Sequence, residues 1–261
     1  MKSLKKKISY RIYRIIRWFI WLFYPKTTAV GAENLPQEPC LIVGNHTQMN
    51  GPIVCELYFP IPRKTWCAGQ MMHLKEVPAY AYQDFRSQKP PASRWFYKIL
   101  SYLIAPFSAC IFTNAETIPV YKDTRIVGTF KQTVKALKEG TSVVIFPEQD
   151  VPYNHILSDF QDKFIDIARL YYKQTGKALP FVPMYIAPKL KKFYFGEPVY
   201  FDPEQPINDQ RQYIKETLMQ RITALAEELP RHTVVPYRNI PKRNYPCNIP
   251  EGGAAREKAR R

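Results

Sequence analysis

The sequence predicts an α/β layered fold, a sheet with surrounding helices, preceded by an amphipathic helix lying in a membrane interface. Three observations predict it. Short, wholly apolar runs such as Leu41-Ile42-Val43 and Val143-Val144-Ile145 end abruptly in polar residues, as buried strands do at the edge of a sheet. Between these runs stand stretches with apolar residues at helical spacing, so strands and helices alternate. Ahead of both, seven basic residues within the first seventeen positions run straight into Trp18-Phe19-Ile20-Trp21-Leu22-Phe23-Tyr24.

The apolar part of residues 1–24 is too short to cross a bilayer, which takes about 20 residues, and it lacks the small-residue cleavage site of a signal peptide. Lys2, Lys5, Lys6, Lys7, Arg11, Arg14 and Arg17 leading into tryptophan and phenylalanine describe a helix in the headgroup region of an anionic membrane surface. The plainer alternative is a solvated basic arm before a core helix. Residues 26–39 are polar and turn-rich and lead into a strand over 40–43. Asn50-Gly51-Pro52 opens a helix with Ile53, Val54 and Leu57 facing inward, since proline is tolerated in a first turn. From 94 to 112 the chain is strongly apolar and reads equally as core or as a second surface dipping into lipid.

A helix over 126–138 sets Val127, Phe130, Val134 and Leu137 on one face and is closed by Gly140, after which the strand 142–146 follows at once. The next helix carries Phe160, Phe164, Ile167 and Leu170 and ends at Gly176. A strand covers 179–186, and residues 193–200 read as a strand pair around a turn. The last helix has Ile214, Leu218, Ile222 and Leu225 at helical spacing. Beyond Pro230 the chain is proline-rich and basic, and residues 251–261 are expected to be disordered. The organisation is an interfacial helix (1–24), one α/β domain (25–230) and a basic tail (231–261).

A formal charge of +16 draws a protein to an anionic partner. The basic residues cluster in the terminal arms beside lipid-type aromatics, not interleaved with stacking residues on a sheet, which argues for a membrane surface and against nucleic acid. Five scattered cysteines, Cys40, Cys55, Cys67, Cys110 and Cys247, have neither disulfide-framework nor metal-ligand spacing, consistent with a reducing compartment.

His46, just beyond a buried strand and at the mouth of a helix, is a candidate general base because imidazole titrates near neutral pH. The ordered set of apolar strand plus Asn45-His46, then Ile118-Pro119-Val120-Tyr121-Lys122, then Phe146-Pro147-Glu148, then Phe181-Val182-Pro183-Met184 resembles the four blocks of the lysophosphatidic acid acyltransferase family. The resemblance runs from about residue 30 to residue 199 and includes the lead-in Val30-Gly31-Ala32-Glu33-Asn34-Leu35-Pro36. It implies a glycerolipid acyltransferase-like fold and transfer of an acyl group from an acyl-CoA or acyl carrier protein thioester to the hydroxyl of a lysophospholipid. The setting it implies is a membrane surface, with no cofactor and no metal; the basic N-terminal helix favours the anionic cytoplasmic face, held peripherally or monotopically. By the same resemblance His46 would deprotonate the hydroxyl, Lys122 and Arg125 would hold the acceptor's phosphate, and Glu148 and Gln149 would shape the acceptor site.

The chain departs from that pattern at four places. The family's first block is His, four residues, Asp, and Gly51 stands at the acidic position here; a one-residue deletion would bring Asn50 there as the partner that orients the imidazole. Asp150 and Glu148 are the other candidates for that role, and an acid introduced at position 50 or 51 would probe it. Gln149 replaces a glycine, Lys122 an arginine, and Val151-Pro152 stand where an arginine closes the third block. Lysine is a point charge without the bidentate fork of arginine. His155 has Asp159 four residues on and could face it from a helix start, but with no strand before it a capping or substrate-lining role is the favoured reading; His73 and His232 show no evident partner. Two functions remain open on sequence alone, an active acyltransferase and a weakened or inactive homologue that binds lipid or acyl thioester.

Overall fold

The computed structural model describes residues 2–85 and 91–249. In chain order its main elements are α1 (Lys2–Phe23), β1 (Thr28–Val30), β2 (Leu41–Gly44), α2 (Asn50–Tyr58), β3 (Arg63–Ala68), α3 (Val77–Phe85), α4 (Arg94–Asn114), β4 (Thr117–Val120) and α5 (Ile126–Lys138). Then come β5 (Ser142–Ile145), β6 (Glu148–Pro152), β7 (Ser158–Phe160), α6 (Asp166–Thr175), β8 (Pro180–Ala187), β9 (Lys192–Phe195), β10 (Val199–Tyr200) and α7 (Ile207–Glu227). The α/β class read from the sequence is the class observed. The chain forms two compact units, one of residues 26–63 with 134–261 and one of residues 1–25 with 64–133.

The larger unit is built on a sheet in which the strands run in the order β1, β9, β8, β2, β5. Strand β2 is parallel to both neighbours, with Leu41 between Val143 and Phe181 and Val43 between Ile145 and Pro183. Every residue of β2, β5 and β8 is buried, which is why these strands are continuous apolar runs without polar alternation. Helix α7 turns Ile214, Leu218, Met219, Ile222 and Ala226 inward against β8. Each fully buried Ile or Leu of that face contributes about 1.5–3 kcal/mol relative to exposure. Gly140 and Gly176 sit at φ 84° and 67°, the left-handed conformation that ends a helix, and the Gly176 amide donates to Tyr172 O at 2.8 Å.

The structure corrects three readings of this unit and adds a hairpin. Phe160 lies in β7, not on a helix, and the helix proper begins at Asp166, where Ile167 and Tyr171 are buried while Leu170 is exposed. Strands β9 and β10 do not pair with each other; each pairs antiparallel with β8, because the long β8 offers one edge to both in succession. In α2 the inward residues are Val54 and Cys55, with Ile53 and Leu57 only half-buried. The hairpin of β6 and β7 was not foreseen, its first strand, Glu-Gln-Asp-Val-Pro, lacking an apolar run. Residues 251–261, expected as disordered, lie outside the described residues. Residues 231–249 are folded against this unit, with His232, Val234, Val235 and Asn248 buried.

In the smaller unit β3 pairs parallel with β4, and α3, α4 and the turn before α3 enclose a small core of Val77, Ala81 and Ala105 with Met71 and Ile104. Helices α1 and α4 pack together through polar contacts: Asn114 Nδ2 donates to Ser9 Oγ at 2.8 Å and Cys110 Sγ to Ser9 O at 3.4 Å. Helix α4 buries only the small side of its surface, Ser101, Ala105 and Ser108. Its Trp95, Phe96, Ile99, Tyr102, Leu103 and Phe107 are all exposed, as are Trp18, Phe19, Trp21 and Leu22 of α1. By length and composition α4 is apolar enough to cross a membrane. The stripe expected on α5 is displaced at its start: Val127 is exposed, and Thr129 and Thr133 take buried positions, Thr133 Oγ1 accepting from Trp66 Nε1 at 2.9 Å.

Candidate active site

His46 follows β2 directly, and the chain must turn sharply there to enter α2 as a parallel strand's exit. Asn45 fixes the departure point. Its amide is buried and bonds both backbone groups of Ile186 in β8, Nδ2 to O at 3.1 Å and Oδ1 from N at 2.7 Å. Thr47 and Gln48 then adopt φ 47° and 56°, left-handed values that are costly for side-chain-bearing residues and most so for a β-branched threonine. Gly51 closes the turn, its amide donating to His46 O at 3.2 Å.

The imidazole is set between two aromatic rings, with Phe146 at 5.2 Å and Tyr237 at 5.8 Å between centroids, both edge-on. Nδ1 is buried and, among the described residues, has no hydrogen-bond partner. Burial pushes the His46 pKa down to about 4, and the nearby Gln48 backbone opposes this. Neutral imidazole is therefore the resting form at pH 7.

Glu148 opens β6, and its carboxylate is buried between the His46 turn and β7. Oε1 accepts from the His46 backbone amide at 2.7 Å and Oε2 from the Ser158 amide at 2.8 Å. Burial raises its pKa to about 7, the two amide bonds pulling the other way. Both halves of the ordered motif set thus meet, but through the backbone of His46 and not through its ring.

The other candidate orienters are engaged elsewhere. Asn50 Nδ2 donates to Thr47 O at 2.9 Å, and Asp150 is ion-paired with Arg238 Nε at 2.6 Å. A side chain at position 51 is refused by the backbone, since a Cβ there would lie 2.5 Å from His46 O and 3.1 Å from the Phe146 ring. This overturns the idea of probing the site with an acid at position 51. Gln149 Nε2 donates to Asp159 Oδ2 at 2.6 Å, and Lys215 Nζ is 2.7 Å from the other oxygen of Asp159.

Asp159 is consequently not the partner of His155. The segment between them is not helical, and His155 Nε2 is instead 2.9 Å from Asn248 O. His73 and His232 do have partners: His73 Nε2 is 2.9 Å from Tyr121 Oη, and His232 lies 2.9 Å from Tyr185 Oη and 2.8 Å from Pro230 O. Sequence reasoning missed Asn45 as the tie to β8 and missed Tyr237 altogether. The first was legible as a polar residue ending a buried strand; the second had no local signal, being nearly two hundred residues away in the chain.

Lys122 and Arg125 belong to the smaller unit. Lys122 is exposed. Arg125 grips Asp123, Nε to Oδ1 at 3.0 Å and Nη2 to Oδ2 at 2.7 Å, and its Cζ stacks 3.8 Å over the Tyr121 ring. That pairing holds the Asp123 carboxyl below its ordinary value. Among the described residues no three His, Cys, Asp or Glu side chains are grouped to hold a metal ion.

No protein-family model matches the chain. A curated protein of Mycoplasma pneumoniae, a probable 1-acyl-sn-glycerol-3-phosphate acyltransferase, is 20% identical over 176 residues, covering 67% of this chain and 54% of that protein. The chain therefore spans about half the length of the curated relative it matches. Among solved structures, the 1-acyl-sn-glycerophosphate (LPA) acyltransferase PlsC from Thermotoga maritima is 17% identical, with a TM-score of 0.45 over 86% of this chain and 81% of that one. In the order of its motifs and in this sequence relative, the chain is similar to the lysophosphatidic acid acyltransferases.

Proposed function

We propose that this chain is a glycerolipid O-acyltransferase that moves an acyl group from an acyl-CoA or acyl carrier protein thioester to the hydroxyl of a lysophospholipid at a membrane surface. The observation that carries the reading is the clasp of Glu148 on the His46 amide, which joins two blocks of the ordered motif set about a hundred residues apart. The curated relative supports it by name.

In this reading neutral His46 takes the proton of the acceptor hydroxyl as its oxygen attacks the thioester carbonyl. The new ester C–O bond forms, the C–S bond breaks, and the proton passes from the imidazole to the departing thiolate. No covalent enzyme intermediate, cofactor or metal is needed. Asn45 and Glu148 hold the turn that aims the ring. The exposed aromatic faces of α1 and α4, with the basic residues of α1, seat the protein in the headgroup region of an anionic cytoplasmic leaflet.

One observation favours a second reading, a weakened or inactive homologue that binds lipid or acyl thioester. Among the described residues Nδ1 of His46 has no hydrogen-bond partner, and no carboxylate meets the ring to stabilise an imidazolium. Loss of such an orienter costs a serine protease roughly 10⁴ in rate, about 5 kcal/mol. Incubating purified protein with labelled acyl-CoA or acyl carrier protein and a panel of lysolipids separates the two. Acylated product that disappears in His46→Ala is expected; no product with any acceptor, or product indifferent to that substitution, would defeat the catalytic reading.

A further inference from the structure

The C-terminal chain returns to the candidate site as a loop closed at its base. Thr233 bridges Cys247 in antiparallel fashion, and the Val234 amide donates to Pro246 O at 2.9 Å. Buried Asn248 then ties this base to the end of α7, with Nδ2 donating to Ala226 O at 2.8 Å and to Leu229 O at 3.1 Å, and Oδ1 accepting from the His232 amide at 2.7 Å.

The far end of the loop touches the two segments that make the site. Tyr237 meets the His46 ring edge-on, Gln48 Nε2 donates to Tyr245 Oη at 3.0 Å and to Arg238 O at 3.4 Å, and Arg238 Nε is 2.6 Å from Asp150 Oδ1 of β6. Arg238 is thereby held beside the turn of His46 on one side and beside the strand of Glu148 on the other. Its side chain is 48% exposed and that of Asp150 72% exposed, so this is a solvent-facing ion pair of small net strength. A guanidinium carries five N–H donors in a planar fork, and an ion pair through Nε leaves the Nη groups able to meet a phosphate. Arg125 differs, since Nε and Nη2 are both spent on Asp123 and its face on Tyr121.

We propose that Arg238 is a phosphate-binding residue of the His46 site, carried there by the closed loop 233–247, with Asp150 a weak competitor for its guanidinium. The assignment of that phosphate to a substrate rests on the acyltransfer reading, in which both the acceptor's glycerophosphate and coenzyme A present one; the binding of an anion there does not.

Calorimetric titration of the full chain in detergent micelles, with coenzyme A and separately with sn-glycerol 3-phosphate, tests this and tells the two sources apart. Saturable binding of at least one is expected, weakened about tenfold or more in both R238A and R238Q, the loss of a charge-assisted hydrogen bond. R238K should fall between, and D150N should bind no more weakly than the unaltered chain. Circular dichroism on both neutral variants separates a lost ligand contact from a lost fold. Binding that R238A and R238Q leave unchanged, or no saturable binding of either ligand by the unaltered chain, would overturn the proposal. Arginine-dependent binding in a chain without turnover would leave it standing and count against the acyltransferase.

Discussion

Gly51 has room for a hydrogen and nothing larger, because the chain passes from a strand end through two left-handed residues and back to its own carbonyl within six positions. Gly51→Ala should cost about 1–3 kcal/mol by overpacking against His46 O and Phe146, and should lower any acyltransfer activity by displacing the imidazole. Thermal unfolding read beside turnover checks it, and an unchanged melting point would contradict the crowding. His46 and Glu148 predict a second effect. Burial lowers the histidine from 6.5 to about 4, so the unfolded chain binds more protons between those values, and this group makes stability rise with pH there. Burial raises the glutamic acid from 4.5 to about 7, so the native chain binds more protons in that window, and this group makes stability fall as pH rises. The two oppose each other between 4.5 and 6.5. In His46→Ala the glutamate acts alone, and denaturant midpoints measured across that range should decline with pH more steeply than in the unaltered chain.

At the level of elements, the loop 233–247 depends on Asn248 much as a hairpin depends on its turn. Asn248→Ala removes a side chain that satisfies the carbonyls of Ala226 and Leu229 and the amide of His232, all near the end of α7. The expected loss is about 2–4 kcal/mol, from buried polar groups left without partners. Because the base of the loop goes with it, phosphate binding should weaken in the same variant even though Asn248 is remote from Arg238 in sequence. Urea denaturation and titration with coenzyme A together check this; full stability with intact binding would show that the loop is held by its far end alone. The strands and helices themselves were largely legible. Runs such as Ser142–Ile145 and Pro180–Ala187 announce buried strands because every residue in them is apolar or small enough to be enclosed. The β6 and β7 hairpin was not legible, since its strands are specified by the carboxylate of Glu148 bonding across to Ser158 and not by an apolar pattern.

For the molecule as a whole, the charge of +16 and the exposed aromatic faces of α1 and α4 are the two features on which the proposed membrane seating rests. Each basic residue near an anionic surface contributes about 1 kcal/mol, so replacing Lys6, Lys7, Arg11 and Arg14 with glutamine should weaken binding to anionic vesicles by roughly a hundredfold or more. Co-sedimentation with vesicles rich in phosphatidylglycerol measures this, and raised salt should produce the same loss within one Debye length's reach. Equal sedimentation of the four-glutamine variant would mean that those four charges are not needed.

The sequence by itself determined the α/β class, the position of His46 at a strand exit, the carboxylate of Glu148 a hundred residues on, and the basic aromatic N-terminus, because each is written in local periodicity or in a short ordered motif. Only the tertiary structure decided what those groups touch. It turned Glu148 toward the His46 backbone, left Nδ1 without a hydrogen-bond partner among the described residues, refused a side chain at position 51, brought Tyr237 from the far end of the chain to the imidazole, and set Arg238 against Asp150. These are contacts between segments distant in sequence, fixed by the packing of β2 between β5 and β8 and by the closure of a loop on Asn248, and no local pattern encodes the distance across them.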